Sequence, residues 1–179
     1  MVDSDYRFFP TVKDNRFGYV LHPVDLATNK VSAAFGRREP RDIVDLLVIH
    51  EWMLRLGAAI WATVSQKPGF TPEGIINWIR RTARYTVEDF RRVESDPPID
   101  AAATMRRLWE LLAEAEAFVL RMPTEKAGLI FIKDGRVVQP DPDRLEEYQT
   151  HEGRRRGAWP TSVEISTAML KHYTGQHGQ

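Results

Sequence analysis

Between positions 25 and 45 the chain places Asp25, Lys30, Arg37, Arg38, Arg41, Asp42 and Asp45. These residue types suit a phosphate-bearing substrate. Lys and Arg neutralise phosphate oxygens and donate hydrogen bonds to them, and carboxylates hold a divalent cation or orient the basic side chains. A plainer reading stays open at this point. Carboxylates in the first turn of a helix are favoured by the helix dipole, and a pair such as Arg41 and Asp42 can be an ordinary surface ion pair worth about 0–1 kcal/mol.

Two short helices must carry these groups. His22-Pro23 ends a β-favouring stretch, and proline is tolerated in a first helical turn because its missing N–H would be unpaired there. The first helix is predicted from about Pro23 to Phe35, stopping at Gly36, with Leu26, Ala27, Val31 and Ala34 buried. Pro40 opens the second. Its apolar positions Ile43, Leu46, Leu47 and Ile49 to Met53 continue to Leu56, with a stop at Gly57. The tight Gly36–Pro40 connection makes the two helices neighbours. Asp25 and Lys30 then sit on one, and Asp42 and Asp45 in the first turn of the next.

The remaining elements follow from turn and cap signals. Tyr6 to Val12 and Phe17 to Leu21 flank the polar Lys13-Asp14-Asn15-Arg16, which predicts a hairpin. A short helix is expected over Ala58 to Gln66, then a break at Lys67-Pro68-Gly69. Thr71 caps a helix with Pro72 first and Ile75, Ile76, Trp78 and Ile79 apolar. Thr86 caps another over Val87 to Val93. After the Ser95–Pro98 linker, Asp100 caps the longest helix, to about Met122, with a seam of Ala101, Met105, Leu108, Leu112, Ala115, Val119 and Met122. Asp134-Gly135 lies between two β-favouring runs, the signal of a hairpin whose turn needs positive φ at both central residues. A short helix is expected around Asp143 to Gln149, a loop over Glu152 to Trp159 containing Arg154-Arg155-Arg156, and a last helix over Thr161 to Tyr173.

The expected fold is therefore α+β and mostly helical: a small N-terminal hairpin, a helical bundle, and a second short hairpin near 129–138. Residues 1–56 and 57–179 form two units or one compact whole. The chain has 179 residues, 42% hydrophobic and 28% charged, enough for a hydrophobic core. It has no cysteine, which excludes a disulfide framework, a Cys-based zinc site and a Cys nucleophile. Basic and acidic residues balance at 25 each, so no whole-chain basic footprint marks a nucleic-acid binder. With no apolar run near the roughly 20 residues of a membrane span and no apolar leader, no membrane partner is expected and the expected location is cytoplasmic.

The string His22-Pro23-Val24-Asp25-Leu26-Ala27-Thr28-Asn29-Lys30-Val31, followed by Gly36-Arg37-Arg38-Glu39-Pro40-Arg41-Asp42-Ile43-Val44-Asp45-Leu46, closely resembles the AbiEii/AbiGii-type toxin nucleotidyltransferases of the polymerase-β-like superfamily. The resemblance is most specific over Tyr6 to Glu51, looser to about Arg84-Tyr85-Thr86, and is not claimed beyond Pro98. It implies a small mixed sheet, of which the first hairpin is a remnant, extended by a helical C-terminal region. It implies transfer of a nucleotide from a nucleoside triphosphate to an acceptor such as tRNA, with Mg²⁺, and a cognate antitoxin as partner. It places Lys30 on the triphosphate and makes Asp42 the essential carboxylate of the last motif, with Asp45 beside it. Arg41, Arg38 and Asp25 are substrate-binding or supporting residues. The family's upstream Gly-Ser turn with its Asp-x-Asp metal ligands has no counterpart; Asp3-Ser4-Asp5 matches by type but follows no glycine turn. The expectation is a truncated or degenerate relative whose metal ligands are unknown. The alternative is a non-catalytic remnant or protein-interaction module, which the apolar seam of the longest helix would suit.

Other motifs are weaker. His50-Glu51 begins a His-Glu-x-x-His pattern, but Leu54 stands at the second histidine. Arg80, Arg81, Arg84, Arg91 and Arg92 with Trp78 and Tyr85 could form an RNA-binding face, or a solvated face diluted by Glu88, Asp89 and Glu94.

Overall fold

The computed structural model describes residues 7–153. Asp3-Ser4-Asp5, Arg154-Arg155-Arg156 and the helix expected over Thr161 to Tyr173 lie outside the described residues. The order is β1 (Val12–Asp14), β2 (Gly18–Val20), α1 (Pro23–Gly36), α2 (Pro40–Trp52), α3 (Leu56–Thr63), α4 (Pro72–Thr82), α5 (Val87–Arg91), α6 (Ala101–Val119), β3 (Ile130–Lys133), β4 (Arg136–Val138) and β5 (Gln149–His151). The fold is α+β and mostly helical, with two small antiparallel sheets.

The first hairpin forms with Val12 opposite Val20, and the Asp14 carboxylate closes its turn by accepting the N–H groups of Arg16 and Phe17 at 2.8 and 2.9 Å. Its first strand is Val12–Asp14, which shares only Val12 with the expected Tyr6–Val12 and takes Lys13 and Asp14 from the expected turn. The N–H groups of Phe8 and Phe9 go to the Asp25 carboxylate instead of a ladder, and both rings enter the core. A side-chain acceptor has replaced a strand partner.

Helix α1 matches its predicted bounds to one residue. Helix α2 does not: it ends at Trp52, and α3 begins at Leu56. All eight residues of α3 are buried. It packs against α1, α2, α4, α6 and β3. A helix apolar on every face belongs inside, and this one is the centre of the bundle. Gly57, expected as a helix stop, lies in its first turn. A Cβ there would meet Phe118 Cδ1 and Gln139 Oε1 at 2.9 Å and the Ala115 Cα at 3.3 Å. The glycine lets α3 and α6 approach closely.

Helix α4 starts as expected, with Thr71 Oγ1 accepting the Gly74 N–H at 3.0 Å, and α5 carries a full capping box between Thr86 and Asp89. The seam of α6 faces α3, α4, α2 and α5, so it is covered by the chain's own helices. The second hairpin forms as predicted, with φ of 52° at Asp134 and 73° at Gly135. The region Pro142–Glu147 is a short 3-10 helix. A third strand, β5, was not expected: Gln149-Thr150-His151 is too polar to read as a strand, yet it covers the free edge of β3. One hydrophobic core runs from Phe8 to Val137, and the 56/57 boundary falls in the first turn of its most buried helix. Among the described residues no helix is long and apolar enough to cross a membrane.

Gly57→Ala should destabilise by about 1–3 kcal/mol through overpacking, although alanine is the better helix former. Gly36→Ala, where a Cβ meets nothing within 4 Å, should be neutral or slightly stabilising. Urea unfolding of the two variants checks the contrast; equal midpoints would remove the close-packing role of Gly57.

Candidate functional site

The corner between α1 and α2 is held by two acid–base contacts. Lys30 reaches from α1 to α2 and donates to Asp45 Oδ2 at 2.6 Å, with both side chains partly exposed. Arg37, just past the end of α1, grips Asp42 with both arms, Nε to Oδ2 at 2.8 Å and Nη2 to Oδ1 at 2.9 Å. The Asp42 side chain is 1% exposed while that of Arg37 is 60% exposed. The exposed guanidinium closes over a buried carboxylate, and the hydrogen bonds and charge of Asp42 hold the Arg37 pKa above its ordinary value. A bidentate pair of this kind fixes orientation as well as supplying energy.

In front of the α2 N-terminus lies an open cleft of about 940 Å³. Arg38, Glu39, Arg41 and Asp45 line it from the corner, opposite Tyr85 ahead of the α5 cap, Asp89 on α5, and Arg92 and Glu94 just after it. Arg38 also donates to the Arg84 carbonyl at 3.4 Å, which ties the corner to the end of α4. Burial raises the Tyr85 phenol pKa, so at neutral pH its hydroxyl is a donor at the cleft wall. The lining is mixed in charge: Arg38, Arg41 and Arg92 alternate with the carboxylates Glu39, Asp45, Asp89 and Glu94, so an anionic group would be held by the arginine donors and not by a net positive wall.

The expected site residues therefore divide. Lys30, Asp45, Arg38 and Arg41 come together around the cleft. Asp42 is committed to Arg37 and is not among the lining residues. Asp25 belongs to a different place. Its oxygens accept the N–H groups of Phe8 and Phe9 at 2.7 and 3.0 Å. The Phe8 carbonyl accepts from His151 Nε2 at 2.7 Å, and the Phe9 ring stacks on His151 and meets His22 at a tilt. This knot joins the start of the described chain to α1 and β5. Spacing could not separate Asp25 from Asp42 and Asp45, because its partners are backbone groups far away in sequence. Arg37 and Arg92 carry more of the site than the motif implied; the adjacent Arg37-Arg38 gives no signal as to which faces inward.

The carboxylates do not fit a Mg²⁺ ion. Among the described residues no three His, Asp or Glu side chains converge as ligands, and the oxygens of Asp25 and Asp42 already have partners. No metal-dependent step is assigned to them. Comparison with known proteins gave no matching family model, no matching curated protein and no matching solved structure.

Two predictions test the side-chain roles. Arg37→Ala leaves the buried Asp42 carboxylate without its bidentate partner and should cost about 1–3 kcal/mol. Arg91→Ala, which breaks an exposed pair with Glu88, should cost no more than about 1 kcal/mol. Denaturant midpoints that move equally would remove the structural role of Arg37.

The second concerns pH. Burial raises the Asp25 pKa to about 6, against the lowering effect of its two backbone hydrogen bonds, and burial lowers that of His22 to about 4. Asp25 adds stability at low pH that is lost as pH rises from its unfolded value of 3.8 through about 6. His22 adds stability above its unfolded 6.5 that is lost as pH falls through about 4. Between pH 4 and 6 the two oppose and nearly cancel. Asp25→Asn removes one side, so the variant should lose up to about 3 kcal/mol more than the parent on acidification across that window. Unfolding curves at stepped pH check this, and parallel pH profiles would refute it.

Proposed function

We propose that this chain is a nucleotidyltransferase-like protein, and that the cleft before α2 takes the phosphate chain of a nucleoside triphosphate. One observation carries the reading: Lys30 of α1 and Asp45 of α2 pair at 2.6 Å beside a cleft where Arg38, Arg41 and Arg92 converge among the carboxylates Glu39, Asp89 and Glu94. Groups far apart in sequence meet where an anion can enter. The resemblance of the 22–46 segment to the AbiEii-type toxins adds the nucleotide to that anion, tRNA as proposed acceptor and a cognate antitoxin as proposed partner.

The residues then take distinct roles. Lys30 and Arg41 neutralise phosphate oxygens, and Arg38 contributes a third cation. Asp45 holds the Lys30 ammonium at the cleft edge before substrate arrives. Asp42 acts through Arg37 as a positioning residue for the α1–α2 corner, and Asp25 does the same for the start of the described chain.

A second reading, a non-catalytic remnant or interaction module, is favoured by the lack of fit to Mg²⁺. Calorimetric titration with ATP, GTP, CTP and UTP, each with and without Mg²⁺, separates the two. The nucleotidyltransferase-like reading expects micromolar binding of at least one nucleotide. Lys30→Ala and Arg41→Ala should each weaken it about tenfold, as loss of a charge-assisted hydrogen bond to phosphate would. Labelled-nucleotide transfer to tRNA should fall with it. No heat with any nucleotide, or binding indifferent to both substitutions, overturns the reading and leaves the interaction module.

A further inference from the structure

Helix α4 turns an aromatic and cationic face outward on the side away from α6. Gly74, Trp78 and Arg81 follow one another at helical steps of four and three, and Thr82 lies four on from Trp78, so they share one strip. Trp78 is 40% exposed, and the Arg81 guanidinium lies 5.0 Å from the centre of its ring. Phe35, at the end of α1, meets Trp78 at 5.7 Å and Phe70 at 4.7 Å, and Phe70 is 46% exposed. Rings that only sealed the end of α1 would be buried; two of these three keep two-fifths or more of their surface in solvent.

The charge on this face is one-sided. Arg81 sits on Trp78, Lys67 precedes Phe70 in the turn that leads into α4, and Arg84 follows the helix. No carboxylate shares the strip of Trp78 and Arg81. Of the acids that dilute the arginines in sequence, Asp89 is in the α5 capping box, Glu88 pairs with Arg91 and Glu94 lines the cleft, while Glu116 takes Arg80 on the α6 side. The acid that α4 itself carries, Glu73, stands in its first turn and off the helical steps that link Trp78 and Arg81.

We propose that the Phe35–Phe70–Trp78 cluster with Arg81 is a stacking surface for single-stranded polynucleotide. Exposed rings offer faces or edges to unpaired bases regardless of sequence, and the cations between them meet the phosphates; binding without base-edge readout uses these two ingredients. The surface goes beyond the nucleotide cleft and stands without it. The two are nonetheless joined, since Arg38 lines the cleft and donates to the Arg84 carbonyl at the end of α4. A strand lying on α4 would have one end directed to the cleft.

The test is fluorescence anisotropy of the full chain with a labelled oligouridine of about 12 nucleotides, a length in the range such surfaces occupy, beside a blunt duplex of equal length. The single strand should bind more tightly, and its affinity should fall steeply with salt. Trp78→Ala should weaken it about tenfold, Trp78→Phe should keep most of it, and Arg81→Gln should weaken it and flatten the salt dependence. Thermal unfolding checks each variant; Arg81 is exposed, so Arg81→Gln carries the test if Trp78→Ala unfolds. No binding at low salt, equal affinity for the duplex, or an affinity unmoved by Arg81→Gln overturns the proposal. Nucleotide titration of the same variants keeps the two readings apart. Oligonucleotide binding without nucleotide binding sinks only the cleft, and the reverse sinks only the stacking surface.

Discussion

The burial of α3 on every side is the constraint on which the rest of the described fold depends. Eight residues without a solvent face require neighbours all round, and α1, α2, α4, α6 and β3 supply them. The closest approach is at Gly57, where α6 presents Ala115 and Phe118. Trp61 extends the arrangement to the strands: its indole N–H donates to the Lys126 carbonyl at 2.8 Å, and its own carbonyl accepts from Gly128. Each neighbour spends its apolar face on α3, which is why the long seam of α6 is not left for a partner.

The α1–α2 corner is a consequence of that packing. Both helices must lie against α3, so their ends converge, and the charged residues between them have to be accommodated. Arg37 with Asp42 and Lys30 with Asp45 do this at different depths. The pair with the buried Asp42 carboxylate locks the turn, because that carboxylate would be costly without a partner. The shallower pair stays at the cleft edge, where an incoming anion can compete with Asp45 for the Lys30 ammonium. The same short segment thus carries a structural clip and an open set of cations.

The knot around Asp25 and the aromatic face of α4 show how position changes the meaning of a residue type. Asp25, a motif carboxylate, works as an acceptor for two backbone N–H groups. Trp78, an apolar position by helical spacing, is turned to solvent with an arginine over its ring. For Asp25 the deciding contacts come from 16 and 17 residues away, whereas Trp78 takes its arginine from the next turn of its own helix.

Much of the architecture was legible from local chemistry. The bounds of α1, the caps at Thr71, Thr86 and Asp100, and the turn at Asp134-Gly135 depend on groups a few residues apart, so the sequence alone determined them. So did the close succession of Asp25, Lys30, Arg38, Arg41, Asp42 and Asp45. Tertiary structure alone decided the break of α2 at Trp52, the use of Gly57 for close packing, the strand at Gln149–His151, and the division of the carboxylates between clip, cleft and knot. Helix caps and tight turns are satisfied by neighbours along the chain. Close approach, edge pairing and the choice of partner for a buried charge are settled only by what arrives from elsewhere.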